Sequence, residues 1–243
     1  MKKVKKSIAL LIAVVMMLAL TACGNTNELA SIKSTVAAGD IIEFGAYEQD
    51  TDKSNGKEPI EWQVLERDGN KILVISKYAL DAQPYNNIWK NVTWETCTLR
   101  TWLNETFLNE AFSEAEQSII QTTLVTADKN PDYEFYDICY IDPGNDTNDK
   151  IFLLSIDGAN KYFASDDVRM CVPTAYAGLN GALTDNEYRV DGAATCWWWL
   201  RSPGFEQNCA AIVDGAGSVH SFGLDVGVVR NCVRPAMWID LDA

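Results

Sequence analysis

The chain has 243 residues and a formal charge of −14 at pH 7, from 34 acidic and 20 basic side chains. This acidic balance excludes the classes of protein that bind nucleic acid or anionic lipid through a basic surface, because like charges repel. Hydrophobic residues make up 47% of the chain, which is enough for one large domain or two small ones.

The N-terminus has the features of a bacterial lipoprotein signal peptide. Four lysines precede the apolar run Ile8–Leu20, which is too short to span a membrane comfortably. The run ends in Leu20-Thr21-Ala22-Cys23, which resembles the lipobox and implies cleavage before Cys23 and diacylation of that cysteine. We therefore expect residues 1–22 to be removed, and the chain to be held by lipid on the extracytoplasmic face of the cell membrane. An ordinary signal peptide with an incidental cysteine is the alternative.

After the lipidation site, residues 23–38 are polar and without periodicity, which predicts a flexible tether. The folded domain is predicted over 39–243. Alternating apolar residues predict a first strand near 39–47 and a hairpin whose arms, 60–67 and 71–76, are joined by the turn signal Asp68-Gly69.

The middle of the chain predicts short helices. Apolar residues at helical spacing favour a helix over 98–112, and Ser113 followed by Glu116 is typical of a capping box. Ser155 and Thr174 are predicted to begin two more helices. The polar stretches 128–149 and 185–192 indicate loops. Four strands are then predicted at 196–200, 210–214, 218–222 and 233–241.

This order of strands, helices and strands predicts an α+β fold, a single domain with antiparallel sheets and a few short helices. The first and last strands are expected to pair and bring the two ends of the domain together.

Five motifs in this order resemble the bacterial DUF6273 domain. They are Gly39–Gly45, Ile60–Leu65, Leu99–Asn104, Trp198–Gly204 and Val233–Ile239. The resemblance implies an exported protein or lipoprotein and does not imply an activity. Cys232 departs from the family pattern, which has glycine before Val-Arg-Pro. The C-terminal motifs are also similar, more distantly, to C-type-lectin-like folds, including the formylglycine-generating type, which implies a C-type-lectin-like domain.

Aromatic and arginine side chains are the candidate ligand-binding residues. Consecutive tryptophans at 197, 198 and 199 would point to alternate faces of a strand, so at least one face is core and the other could stack on a ligand. Arg201 and Arg234 each lie in a turn or strand beside a proline, where a guanidinium either ties backbone together or holds a ligand carboxylate. Tyr176 completes this tentative ligand-binding set.

The acidic loop 128–149 is a candidate calcium site. Asp142, Asp146 and Asp149 supply the oxygen ligands that calcium prefers, although their spacing is not that of an EF-hand loop. A solvated loop is the alternative.

The cysteines and the histidine are compatible with an enzyme. Six cysteines beside Cys23 allow fifteen pairings between which the sequence does not choose; they are Cys97, Cys139, Cys171, Cys196, Cys209 and Cys232. His220 is the one histidine, and no nucleophile motif accompanies it.

These observations favour a lipid-anchored binding module for a glycan, peptide or protein partner, with a loop-built site near Trp197–Trp199, Tyr176 and residues 128–149. The alternatives are an enzyme of the formylglycine-generating or hydrolytic type and a structural component of the envelope.

Overall fold

The computed structural model describes residues 16–17, 35–133 and 141–242. Two larger sheets, two small ribbons and short helices make up the described part of the chain, so the α+β prediction is confirmed. Cys23, Cys139 and most of the predicted signal peptide and tether lie outside the described residues. No helix among the described residues is long and apolar enough to cross a membrane.

The described strands and helices have the following bounds. The strands are β1 Met16–Met17, β2 Ile41–Tyr47, β3 Glu58–Asp68, β4 Lys71–Ser76, β5 Asp81–Ala82, β6 Thr123–Val125, β7 Thr147–Asp149, β8 Thr184–Val190, β9 Ala193–Cys196, β10 Trp198–Pro203, β11 Cys209–Val213, β12 Val219–Asp225, β13 Cys232–Val233 and β14 Ala236–Asp240. The helices are α1 Thr98–Trp102, a π-helical turn Leu103–Phe107, α2 Leu108–Ala111, α3 Glu114–Ile119, α4 Ile156–Tyr162, α5 Asp166–Arg169 and α6 Ala175–Leu179.

The first sheet has the strand order β1-β2-β3-β4-β14, and the predicted hairpin is its centre. Strands β3 and β4 pair antiparallel, with Asp68 opposite Lys71 beside the turn. Strand β14 pairs with β4, so the expectation that the first and last strands pair is wrong. The two-residue β1 pairs parallel to β2, and cleavage before Cys23 would remove it from this sheet.

The second sheet has the order β12-β11-β10-β13-β5, and the C-terminal segment connects it to the first. The predicted strand 233–241 is therefore two strands, β13 and β14, in different sheets. Arg234 and Pro235 separate them, and proline has no N–H with which to continue a ladder.

The helices whose caps the sequence predicts begin at those caps, whereas α5 was not predicted. Ser113 and Glu116 form both bonds of a capping box. The side chains of Ser155 and Thr174 accept hydrogen bonds from the backbone N–H three residues later and so begin α4 and α6.

The predicted loop 185–192 is instead one arm of a hairpin formed by β8 and β9. Its turn is Asp191-Gly192, with φ of 52° and 85°, the left-handed conformation that aspartate and glycine tolerate best. Because β8 is mostly exposed, it lacks the apolar alternation by which a strand is recognised in sequence.

Candidate functional site

The three tryptophans have different environments. Trp198 and Trp199 are fully buried, and the Trp199 indole donates to the carbonyl of Gln83 at 2.9 Å. Trp197 lies in the break between β9 and β10 and is half-buried. Its ring stacks on His220, with centroids 6.4 Å apart and an angle of 17°. Of the three, Trp197 is therefore the one with a face near solvent.

The two arginines of the predicted ligand-binding set both donate hydrogen bonds to backbone carbonyls. Arg201 donates to the carboxylate of Asp128 at 2.8 Å and to the carbonyl of Leu153 at 3.1 Å, which fixes the start of the acidic loop against β10. Burial lowers the pKa of Arg201, and the carboxylate of Asp128 opposes that shift. Arg234 is 2% exposed and donates to the carbonyl of Ser76 at 2.9 Å, so it does not face a solvent-accessible ligand.

Strand β12 is an edge strand whose exposed positions meet aromatic rings from other segments. His220 meets Trp197. Phe222 stacks on Phe205 with centroids 4.8 Å apart and an angle of 8°. The carboxylate of Asp225 accepts from the indole of Trp89 at 3.4 Å. We call these residues the aromatic surface: Trp89, Trp197, Phe205, His220, Phe222 and Asp225.

The beginning of the acidic loop supports this surface. Asn130 is buried, and its amide donates to the carbonyls of Pro203 and Ser221, both at 2.8 Å. The ring of Tyr133 packs edge-on against Phe205, with centroids 5.2 Å apart. The backbone N–H of Phe205 donates to the carbonyl of Phe222. These bonds join β10, β12 and the start of the acidic loop at residues 203, 205, 221 and 222.

Carboxylates lie among the rings. Asp214 accepts from the backbone N–H groups of Ala216 and Ser218, and its second oxygen lies 2.7 Å from Nε2 of His220. Within the described part of the chain, the hydrogen bond of the His220 ring is to this aspartate. The surface is thus aromatic and acidic, with its histidine held against a carboxylate.

Tyr176 belongs to a different part of the molecule. Its ring packs edge-on against Tyr47 at 5.8 Å, and Nζ of Lys53 lies 5.0 Å from its centroid. Its backbone N–H donates to the carbonyl of Gln49. The structure therefore places Tyr176 beside the loop that follows β2.

The three aspartates of the predicted calcium site have separate partners. Buried Asp149 accepts from Arg100 at 2.7 Å, from the indole of Trp94 at 3.0 Å and from Thr147 at 2.6 Å. Asp146 accepts from the backbone N–H of Ala127, and Asp142 caps its own turn. Across residues 35–133 and 141–242, they do not form a group that could share an ion.

The acidic group found in those ranges is Glu48, Asp50 and Glu58, which lies beside Tyr176. One carboxylate oxygen of each lies within 4.8 Å of the others. Burial and the negative charges of Glu58 and Asp50 raise the pKa of Glu48. The sequence interpretation missed this group, although Asp50, Asp52 and Ser54 are oxygen-bearing residues at every second position.

The five described cysteines are free thiols: Cys97, Cys171, Cys196, Cys209 and Cys232. Burial raises the pKa of the thiols of Cys171 and Cys196, which lie side by side. Burial also raises the pKa of the half-buried Cys209 to about 11. Each of these three thiols is therefore held in its protonated, weakly nucleophilic form at neutral pH.

A family model described as "Domain of unknown function (DUF6273)" matches residues 69–241, well over half of the chain. The chain belongs to the DUF6273 family. The matched region contains the motifs 99–104, 198–204 and 233–239, and it includes every residue of the aromatic surface. Strands β2 and β3 precede the match but are paired into the same sheet as β4. Comparisons with curated proteins and with solved structures gave no match.

Proposed function

We propose that this DUF6273 protein is a lipid-anchored binding module on the extracytoplasmic face of a bacterial membrane, and that its aromatic surface binds a glycan. The observation that carries the proposal is the stacked pair of Phe205 and Phe222. Phe222 is 57% exposed, although its ring is fixed in orientation by Phe205 beneath it. A large exposed ring that is already ordered loses little side-chain entropy when it binds.

Glycan is the ligand class that best fits this surface. The face of an aromatic ring carries negative charge density and attracts the polarised C–H groups on one face of a sugar ring. Ionised carboxylates accept hydrogen bonds, and sugar hydroxyls donate them. The carboxylate of Asp225 is part of the aromatic surface, and that of Asp214 lies 2.7 Å from Nε2 of its His220.

A lipid anchor at Cys23 and a C-type-lectin-like fold would both suit such a binding module. Diacylation of Cys23 and a tether to residue 38 would hold the domain outside the membrane, where envelope glycans are found. The break of the C-terminal segment at Arg234-Pro235 supports a C-type-lectin-like arrangement. The anchor is tested by fractionating cells that carry Cys23→Ser: the parent protein should stay with the membrane, and the variant should be released.

Glycan binding is tested with the purified protein on an array of bacterial envelope glycans beside a peptide library. Phe222→Ala should reduce the signal for the selected glycan at least tenfold, because it removes the stacking face. Leu179→Ala is the matched control, since Leu179 is 64% exposed and lies on α6. Binding that Phe222→Ala leaves unchanged, or binding to the peptide library alone, would refute a glycan site on this surface.

A further inference from the structure

The chain reverses between β2 and β3 and brings three carboxylates together. Tyr47 and Glu58 are opposite each other in the antiparallel pair, and residues 48–57 form the connection. Glu48 and Asp50 leave β2 at the point where Glu58 enters β3. One oxygen from each of the three carboxylates lies within 4.8 Å of the other two.

Glu48 has an unsatisfied oxygen within this group. The residue is 8% exposed, and its Oε1 is buried without a hydrogen-bond partner. A buried charged oxygen without a partner is strongly unfavourable, and two neighbouring carboxylates of the same sign add to that penalty. A cation bound between the three carboxylates would give the buried oxygen a partner and would neutralise the repulsion between the negative charges. This unpartnered oxygen distinguishes the group from an ordinary acidic surface loop.

The three side chains provide the type of ligand that calcium uses, since all of them offer carboxylate oxygen, which favours calcium over zinc. Asp52 and Ser54 lie outside the group, because an oxygen of Asp52 accepts from the backbone N–H and the hydroxyl of Ser54. Gly56, with φ of 101°, lets the chain turn back toward β3.

Hydrogen bonds already occupy part of the group. Oε2 of Glu58 accepts from the backbone N–H of Gln49 at 2.7 Å, and the two oxygens of Asp50 accept from the backbone N–H of Asp52 and from the amide of Asn55. Each carboxylate oxygen has two lone pairs, so one such bond leaves a lone pair for an ion. The positive charge of Lys53 partly compensates the group from a position over the ring of Tyr176.

We propose that Glu48, Asp50 and Glu58 bind a calcium ion that fixes the 48–58 loop against α6. This site is separate from the aromatic surface and does not depend on the proposed glycan function. Its affinity should be that of an extracellular module, with a dissociation constant of about 0.1–1 mM.

The test uses the purified protein, stripped with chelator and then titrated with calcium chloride alone. At 5 mM calcium the melting temperature should rise by about 2–9 °C, as expected for one weak site. Terbium should also show emission sensitised by a nearby tyrosine, which calcium reverses. Glu48→Gln should abolish both signals, and Asp146→Asn, a matched change in the other acidic loop, should preserve them.

Folding of the variant is not expected to confuse this result, because Glu48→Gln removes a repulsive charge and should melt no lower than the stripped parent. If Glu48→Gln does not melt cooperatively, the same calcium titration is carried out on Asp50→Asn. Its asparagine can still accept a hydrogen bond from the backbone N–H of Asp52, so this variant should remain folded. The absence of a shift in the parent at 5 mM calcium, or an equal shift in a folded variant, would overturn the proposal.

Discussion

The guanidinium carbon of Arg234 lies 5.1 Å from the centroid of the Trp198 ring. The same carbon lies 5.1 Å from the ring of Phe163, and Nε donates to the carbonyl of Ser76 at the end of β4. Arg234 therefore joins the tryptophan strand of the second sheet to the first sheet at the point where the C-terminal segment crosses between them. Two of the motifs that identify the family are in direct contact, and the contact is structural.

Replacing Arg234 with alanine should destabilise the protein by about 3 kcal/mol or more, because it leaves a cavity between two rings and a buried carbonyl without its donor. In a domain of this size, the melting temperature should fall by about 6–12 °C. Thermal melts monitored by tryptophan fluorescence would measure this. Arg189→Ala is the control, since Arg189 is exposed and donates to the carbonyl of Gly192. Equal melting temperatures for the two variants would contradict the structural role.

Asp149 should also act as a structural residue. Its carboxylate is 1% exposed and accepts from an arginine, an indole and a hydroxyl. Asp149→Asn removes the charge paired with Arg100 and should cost about 2–4 kcal/mol. The loss, measured by urea unfolding, should be the same in chelator and in 5 mM calcium. A loss that appears only with calcium would instead support the ion site predicted from Asp142, Asp146 and Asp149.

Local signals in the sequence predicted most of the fold. The turn at Asp68-Gly69 and the caps at Ser113, Ser155 and Thr174 depend on residues close together in the chain, so they could be recognised before the structure was known. The division of 233–241 between two sheets depends on distant partners, β5, β10 and β4, which the sequence does not specify.

The candidate site was harder to predict for the same reason. Phe222 could be placed in a strand, but its stacking on Phe205 depends on the turn between β10 and β11. Three consecutive tryptophans suggested a binding face, but tryptophan is large and apolar, and two of the three are buried in the core. Glu48 and Glu58 are separated by a loop and become neighbours only through the register of β2 and β3.

The buried thiols make stability sensitive to alkaline pH. Burial raises the pKa of Cys97 to about 12, above the value of about 8.5 expected in an unfolded chain. The folded state therefore keeps this proton when the unfolded state loses it. The contribution is fully present below about pH 8.5 and is lost as pH rises toward 12, at about 1.4 kcal/mol per pH unit.

Cys97→Ser should reduce this alkaline loss. Cys97 caps α1 through its sulfur and donates to the carbonyl of Trp94, and a serine hydroxyl can make both bonds without ionising in this range. Stability at pH 7 should change little, whereas at pH 10–11 the variant should unfold at a higher urea concentration than the parent. Cys209→Ser should show the same effect to a smaller extent, because burial raises the pKa of Cys209 only to about 11. Identical pH profiles for Cys97→Ser and the parent would show that this thiol is not the titrating group.

The amide of Asn130 should connect stability with binding, because it fixes the acidic loop to both β10 and β12. Asn130→Ala leaves the carbonyls of Pro203 and Ser221 without their donor, which should cost about 1–3 kcal/mol in urea unfolding. Asn109→Ala, at an exposed helical asparagine, is the control for both stability and glycan binding. If the aromatic surface depends on this loop, glycan retention should fall in Asn130→Ala although Phe205 and Phe222 are unchanged; full retention would show that the stacked pair holds its orientation without the loop.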